Sequence, residues 1–170
     1  SIGFSLDSAW QHTIGSDEAV IAVLDSGVLW DARDLVRKLY LNAKELPLPV
    51  GSASYDRNGD GGFNVDDYLG DPRVTDANAN GILDPGDLIQ AFSNCKDEDA
   101  NGYPDDISGY DFFGDTHCGF EGGDNDPSDE TRFGHGTGIA SSAAAETNNG
   151  LEGAGVVEAQ SGDEQGGGTH

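Results

Sequence analysis

Ala19-Val-Ile-Ala-Val-Leu-Asp25-Ser-Gly27 is the stretch on which the reading of this chain turns. An almost wholly apolar run ending in an aspartate predicts a parallel strand, covered on both faces, that presents a carboxylate at its C-terminal tip. Its counterpart is Gly134-His135-Gly-Thr137-Gly-Ile-Ala140, a glycine-flanked histidine opening a helix of small residues over 135–146. Glycines on both sides of His135 let backbone and substrate approach, and the helix start sets the position of the ring. Asp25 first and His135 later are two members of a Ser-His-Asp hydrolase site, in the order Asp, His, Ser.

The 170 residues amount to one domain, or the front portion of a larger one. Asp and Glu number 32 against 8 Lys and Arg, a formal charge of −24. Such a chain repels nucleic acid and anionic membrane surfaces, so neither is expected as a partner. Clustered carboxylates favour hard cations such as Ca2+. No apolar run approaches membrane-spanning length, and no signal peptide is present. Methionine is absent, even at position 1, which suggests a processed or excised product.

Along the chain, Leu6, Ala9, Trp10 and Ile14 recur at helical spacing, and 34–40 suggests a brief helix ended by Leu46-Pro-Leu-Pro49. From 52 to 130 the composition turns to Asp, Asn and Gly, with a strand-like run at 107–113. Within this region one pattern occurs three times, about twenty residues apart. The first copy places Asp56, Asn58, Asp60, Gly62, Asn64 and Asp67 at positions 1, 3, 5, 7, 9 and 12 of a calcium loop. The second places Asp76, Asn78, Asn80, Ile82, Asp84 and Asp87 there. The third has Asp97, Asp99, Asn101, Tyr103 and Asp105, but Ser108 at position 12.

Side-chain oxygens at positions 1, 3 and 5 wrap one face of the ion, and the position-6 glycine turns the position-7 carbonyl inward. The eight residues between the first two loops leave no room for two flanking helices, so paired EF-hands are not expected. The loops look more like those of dockerin or thrombospondin type-3 repeats, where metal substitutes for a hydrophobic core. Cys95 and Cys118 could form a disulfide or remain free thiols. Neither belongs to a C-x-x-C pair, so a thiolate metal site is not expected. His12, His117 and His170 read as ordinary surface residues.

The segments around Asp25 and His135, with Asp34-Leu35, Asn101–Phe112 and the loop from Asn148 to Gly155, closely resemble subtilisin-like serine proteases (subtilases). The resemblance covers most of 1–156. It implies an α/β fold, an incomplete three-layer sandwich with a parallel sheet and a long acidic calcium-binding insertion at 52–130. It also implies a secreted, calcium-stabilised endopeptidase acting on polypeptides, in which Asp25 orients His135 and His135 is the general base. Asp34 and Asn149 match positions of a calcium site in many subtilases. Gly138 stands where many members have a second histidine, and Ser141 where a glycine is usual.

The family's Gly-Thr-Ser-x-Ala-x-Pro nucleophile motif is not matched anywhere in the sequence. The residues from 157 to 170 are expected to be an unstructured tail outside the family pattern, as a frameshift or truncation would leave. The chain alone is therefore expected to hydrolyse peptides negligibly. The alternative is a non-enzymatic calcium-binding module built on the three loops.

Overall fold

The computed structural model describes residues 6–16, 19–113, 116–129, 134–147, 149–151 and 153–157. Of the expected 157–170 tail, Val157 is described, its amide donating to the Ala143 carbonyl at 3.0 Å, and the remainder, with His170, lies outside the described residues. Three α-helices are present among them: α1 at Leu6–Ala9, α2 at Pro85–Phe92 and α3 at His135–Ala144. Two short strands, β1 at Thr116–His117 and β2 at Phe120–Glu121, pair antiparallel. Single 3-10 turns form at Val36–Lys38 and Val65–Tyr68.

The hydrophobic core lies between the acidic region and residues 30–46. Trp30, Leu41, Leu46, Val65, Tyr68, Leu88, Ile89 and Ile107 are its buried members, with Phe63, Leu83 and Phe92 among the residues packed against it. The loop region thus has apolar packing of its own, where the sequence suggested metal in its place. Helix α2 lies in that core because its start is specified twice. Asp84 caps the helix by accepting the Asp87 amide, Asp87 accepts the Asp84 amide in return, and Pro85 occupies the first turn. Leu88 and Ile89 then point inward, while Gly86 lets Trp30 close over the helix, a Cβ there lying 2.8 Å from the indole.

Two tyrosines pin the proline segment to the core. The Tyr55 hydroxyl donates to the Leu46 carbonyl at 2.8 Å and the Tyr68 hydroxyl to that of Pro47 at 2.7 Å. Burial pushes the Tyr68 phenol well above its usual range, so it remains a donor at any ordinary pH. Asp71, also buried, accepts the Val50 amide and pairs with Arg73 at 2.7 Å, which holds its carboxyl far below the usual range. Cys95 and Cys118 form a disulfide that ties the third loop to the β1–β2 hairpin.

Two expected strands are not formed. Residues 19–24 have no regular secondary structure, no described residue pairs with them as a strand, and Val20, Ile21 and Leu24 are exposed. An apolar run becomes a sheet strand only when a neighbouring strand satisfies its amides, and the described residues supply no such strand. They line an open groove of about 970 Å³, together with Tyr110 and Phe112. Residues 107–113 contribute isolated bridges, Asp111 pairing with Asp124, with Ile107 fully buried.

These burials set an expected contrast. Leu88→Ala empties a site of 0% exposure and is expected to cost about 2–5 kcal/mol. Leu24→Ala, at 92% exposure, is expected to stay within about 0.5 kcal/mol. Urea unfolding in calcium-containing buffer measures both. A Leu24→Ala loss as large as that of Leu88→Ala would contradict the exposed placement of 19–24.

Candidate active site

Asp25 and His135, 110 residues apart in sequence, meet: His135 Nδ1 lies 2.7 and 2.8 Å from the two Asp25 carboxylate oxygens. An ionised carboxylate only accepts, so Nδ1 carries a proton, and in the neutral ring Nε2 is the acceptor. The Ser26 amide donates to Asp25 Oδ1 at 2.8 Å. That amide first, and His135 second, lower the Asp25 carboxyl below its ordinary value, which keeps it ionised. The His135 side chain is 59% exposed, so the ring is open to solvent.

The pair is positioned by loops. Ser26 Oγ donates to Asp129 at 3.1 Å and accepts the Gly136 amide at 3.2 Å, joining the aspartate turn to the first turn of α3. The Leu29 amide donates to Thr137 Oγ1 at 3.0 Å, and the Val28 amide to the Pro127 carbonyl at 3.1 Å. Gly136 is required because a Cβ there would overlap the Gly27 carbonyl. Asp34 and Asn149 also come together, the Asn149 amide nitrogen 2.6 Å from Asp34 Oδ1. The Glu146 amide donates to the Asp34 carbonyl at 2.9 Å, fixing that loop to the end of α3.

The three acidic loops share one backbone course. In each, the fourth and sixth residues are left-handed: Gly59 and Gly61, Ala79 and Gly81, Ala100 and Gly102. The first-position carboxylate accepts the sixth-position amide, from Gly61 to Asp56, Gly81 to Asp76 and Gly102 to Asp97. The fifth-position side chain accepts the seventh amide, from Gly62 to Asp60, Ile82 to Asn80 and Tyr103 to Asn101. Asn64 and Asp84, at position 9, each cap the helical turn that follows.

Position 12 separates the loops. Asp67 accepts the amides of Arg57 and Asn58 at 2.7 and 3.1 Å, and Asp87 that of Ala77 at 2.7 Å. In the third loop the corresponding bond comes from outside. Glu45 accepts the Asp99 amide at 3.1 Å, across 54 residues. Ser108 points elsewhere, donating to the Tyr40 carbonyl at 2.8 Å. Asp105, expected at position 9, has its carboxylate engaged by the amides of Asn94 and Cys95 and by His117. Asp106 takes the comparable place, receiving Asn101 Nδ2 at 2.9 Å as Asp84 receives Asn80 Nδ2. Asn42 secures both, donating to Asp99 and Asp106.

Glu45 and Asp106 were not legible as loop residues, since nothing in Lys44-Glu45-Leu46 announces a partner so far along the chain. His117, read as an ordinary surface residue, is only partly exposed and bonded to Asp105. Glu45 is 4% exposed and its carboxyl is pushed up to about 7, chiefly by burial, with Glu98 and Asp106 adding repulsion. Burial likewise raises Asp87 and Asp106.

A family model described as the Subtilase family matches residues 16–161. No curated protein matches the chain. No solved structure matches it either.

The elevated Glu45 carboxyl gives a signed pH dependence. The unfolded chain ionises it near about pH 4.3, so without metal Glu45 opposes folding progressively as pH rises from there to about 7. In chelator-treated buffer, Glu45→Gln is expected to match the parent more closely near pH 4 and to gain relative stability by pH 8. Urea midpoints at the two pH values test this, and an identical difference at both would remove the assignment.

Proposed function

The chain belongs to the subtilase family, and from that premise we propose that it carries the Asp and His of a secreted, calcium-braced serine endopeptidase site. The contact of His135 Nδ1 with both Asp25 oxygens supports this reading most directly. Asp25 orients the ring and offsets the charge of the imidazolium. His135 Nε2 accepts the proton of a serine hydroxyl as its oxygen attacks the scissile carbonyl, then passes that proton to the leaving amine. Water repeats the cycle on the acyl-enzyme.

The nucleophile is assigned outside these 170 residues. Ser26 Oγ is committed to Asp129 and Gly136, and Ser142 Oγ bonds back to the Gly138 carbonyl at 2.9 Å. In the completed three-layer sandwich, residues 19–24 become a strand of the parallel sheet, their exposed apolar side chains covered by neighbours.

Calcium fits the acidic loops on their donor chemistry. They offer oxygen ligands alone, and Glu45 and Asp87 are buried carboxylates for which no described cationic partner is present. Asp56, Asn58, Asp60, Gly62, Asn64 and Asp67 would hold one ion, and Asp76, Asn78, Asn80, Ile82, Asp84 and Asp87 another. Asp97, Asp99, Asn101, Tyr103, Asp106 and Glu45 would hold a third. Bound calcium supplies positive charge that neutralises these carboxylates and braces the insertion. Asp34 and Asn149 would contribute to a separate calcium position. A non-enzymatic calcium module is the second reading, favoured by the core lying among the loops rather than behind the Asp–His pair.

A fluorophosphonate probe, which labels activated serines, tests the proposal. The 170-residue chain is expected to remain unlabelled and inactive on casein. A chain extended through downstream coding sequence carrying an in-frame Gly-Thr-Ser-x-Ala motif is expected to label, and Asp25→Asn to lower its kcat/KM about 10⁴-fold. A folded extended chain with no reactivity would leave the module reading standing.

Native mass spectrometry tests the third loop. Glu45→Gln is expected to carry one calcium ion fewer than the parent, and Ser108→Ala the same number. Loss from Ser108→Ala alone would return closure of that loop to position 12.

A further inference from the structure

Cys95, Asp105, His117 and Cys118 converge behind the third loop. The turn between β1 and β2 folds His117 and Cys118 back onto Cys95, so the two sulfurs, an imidazole nitrogen and a carboxylate oxygen all lie within 4.8 Å of one another. His117 Nε2 is 2.9 Å from Asp105 Oδ2, and Cys118 Sγ is 3.7 Å from the same oxygen. Asp105 is buried and held in place, its Oδ1 accepting the Asn94 amide at 2.7 Å and its Oδ2 the Cys95 amide at 2.8 Å. We propose that reduction of the Cys95–Cys118 disulfide opens a four-ligand site for zinc, formed by Cys95 Sγ, Cys118 Sγ, His117 Nε2 and Asp105 Oδ2.

The chemistry of the set selects the ion. Two thiolates, one imidazole and one carboxylate suit a borderline-soft cation in tetrahedral geometry, whereas calcium prefers the all-oxygen loops nearby. Metal–ligand bonds of about 2.0–2.3 Å place the four donor atoms of a tetrahedron within about 4 Å of each other. The four donors already lie close to that spread, and the main change needed is separation of the bonded sulfurs. The amides of Asn94 and Cys95 fix the Asp105 carboxylate as outer partners fix metal ligands generally. The absence of a C-x-x-C pair hid the site, because its sulfurs come from positions 23 residues apart.

The redox step balances with a dithiol reductant. Its thiolate attacks one sulfur of the disulfide, giving a mixed disulfide and one cysteine thiolate. Its second thiol displaces the other cysteine, so the protein disulfide takes up two electrons and two protons while the reductant closes to its own disulfide. Zinc then binds both sulfurs as thiolates, and the two thiol protons pass to solvent. The metal replaces the disulfide as the link between the third loop and the hairpin.

The test uses the 170-residue chain in saturating calcium, which fills the oxygen-ligand loops. Cobalt(II) serves as the spectroscopic probe and zinc as its competitor. The chain reduced by excess dithiol, then freed of reductant without air, is expected to take up one cobalt ion. Its spectrum should show thiolate-to-cobalt charge transfer and the intense visible bands of tetrahedral coordination, both abolished by zinc. The disulfide form should show neither. His117→Ala is expected to weaken zinc binding by at least about tenfold and to change the visible bands. Cys95→Ser/Cys118→Ser should lose the charge transfer. Circular dichroism follows the fold throughout: a reduced chain that loses structure and regains it with zinc supports the site. A reduced chain that binds no cobalt through sulfur, that zinc fails to refold, or whose His117→Ala variant binds unchanged overturns it.

Discussion

Each acidic loop is held shut by a buried carboxylate that accepts amides near the loop's own start. Asp67 does this for the first, Asp87 for the second and Glu45 for the third. Much of the structure follows from these closures. Asp67 and Asp87 also belong to the helical turns after their loops, so closing the loop aims Val65, Tyr68, Leu88 and Ile89 into a common core. Glu45 precedes Leu46, another core member, so the third closure draws the proline segment onto the same centre. Polar closure and apolar packing are consequently one cooperative unit, and weakening either is felt by the other.

That unit reaches the Asp–His pair through Trp30. Its indole belongs to the core, and its nitrogen donates to Asp126 at 2.8 Å. The neighbouring Pro127 carbonyl accepts the Val28 amide, and Asp129 accepts the Ser26 hydroxyl. Residues 126–129 therefore form a bracket between the acidic region and the aspartate turn. The electrostatic consequence is a division of carboxylates into two kinds. Asp66 and Asp71 are answered by Arg37 and Arg73. Glu45 and Asp87 are answered by amides, and with a charge of −24 over the chain the field around them is repulsive. A hard cation is the counter-charge that such oxygen-lined positions suit.

The local parts of this arrangement were legible in the sequence and the long-range ones were not. Asp25, His135 and the three loops were visible because each is marked by a local pattern, a carboxylate after an apolar run, a histidine between glycines, or oxygens at alternate positions before a glycine. Helix α3 was visible for the same reason, ending at Ala144 where the sequence suggested Glu146. Glu45, Asp106 and the Asp105–His117 contact depend on where separate segments meet, which no spacing rule encodes. Residues 19–24 are the opposite case. Their composition specifies what a strand would bury, but pairing needs a neighbour, and composition cannot supply one.

The Asp25–His135 contact forms even though 19–24 has no sheet partner among the described residues, and this bears on how the site is held. Were the aspartate fixed only by its strand, an unpaired strand would leave it free to wander. Instead Ser26, Val28 and Leu29, all after the strand position, bond to Asp129, Pro127 and Thr137. Gly136 lets α3 approach until its first turn touches the Gly27 backbone. The turn after Asp25 is thus clamped from two sides by residues that need no sheet. The direction in which the carboxylate faces His135 is set by the bracket and the helix.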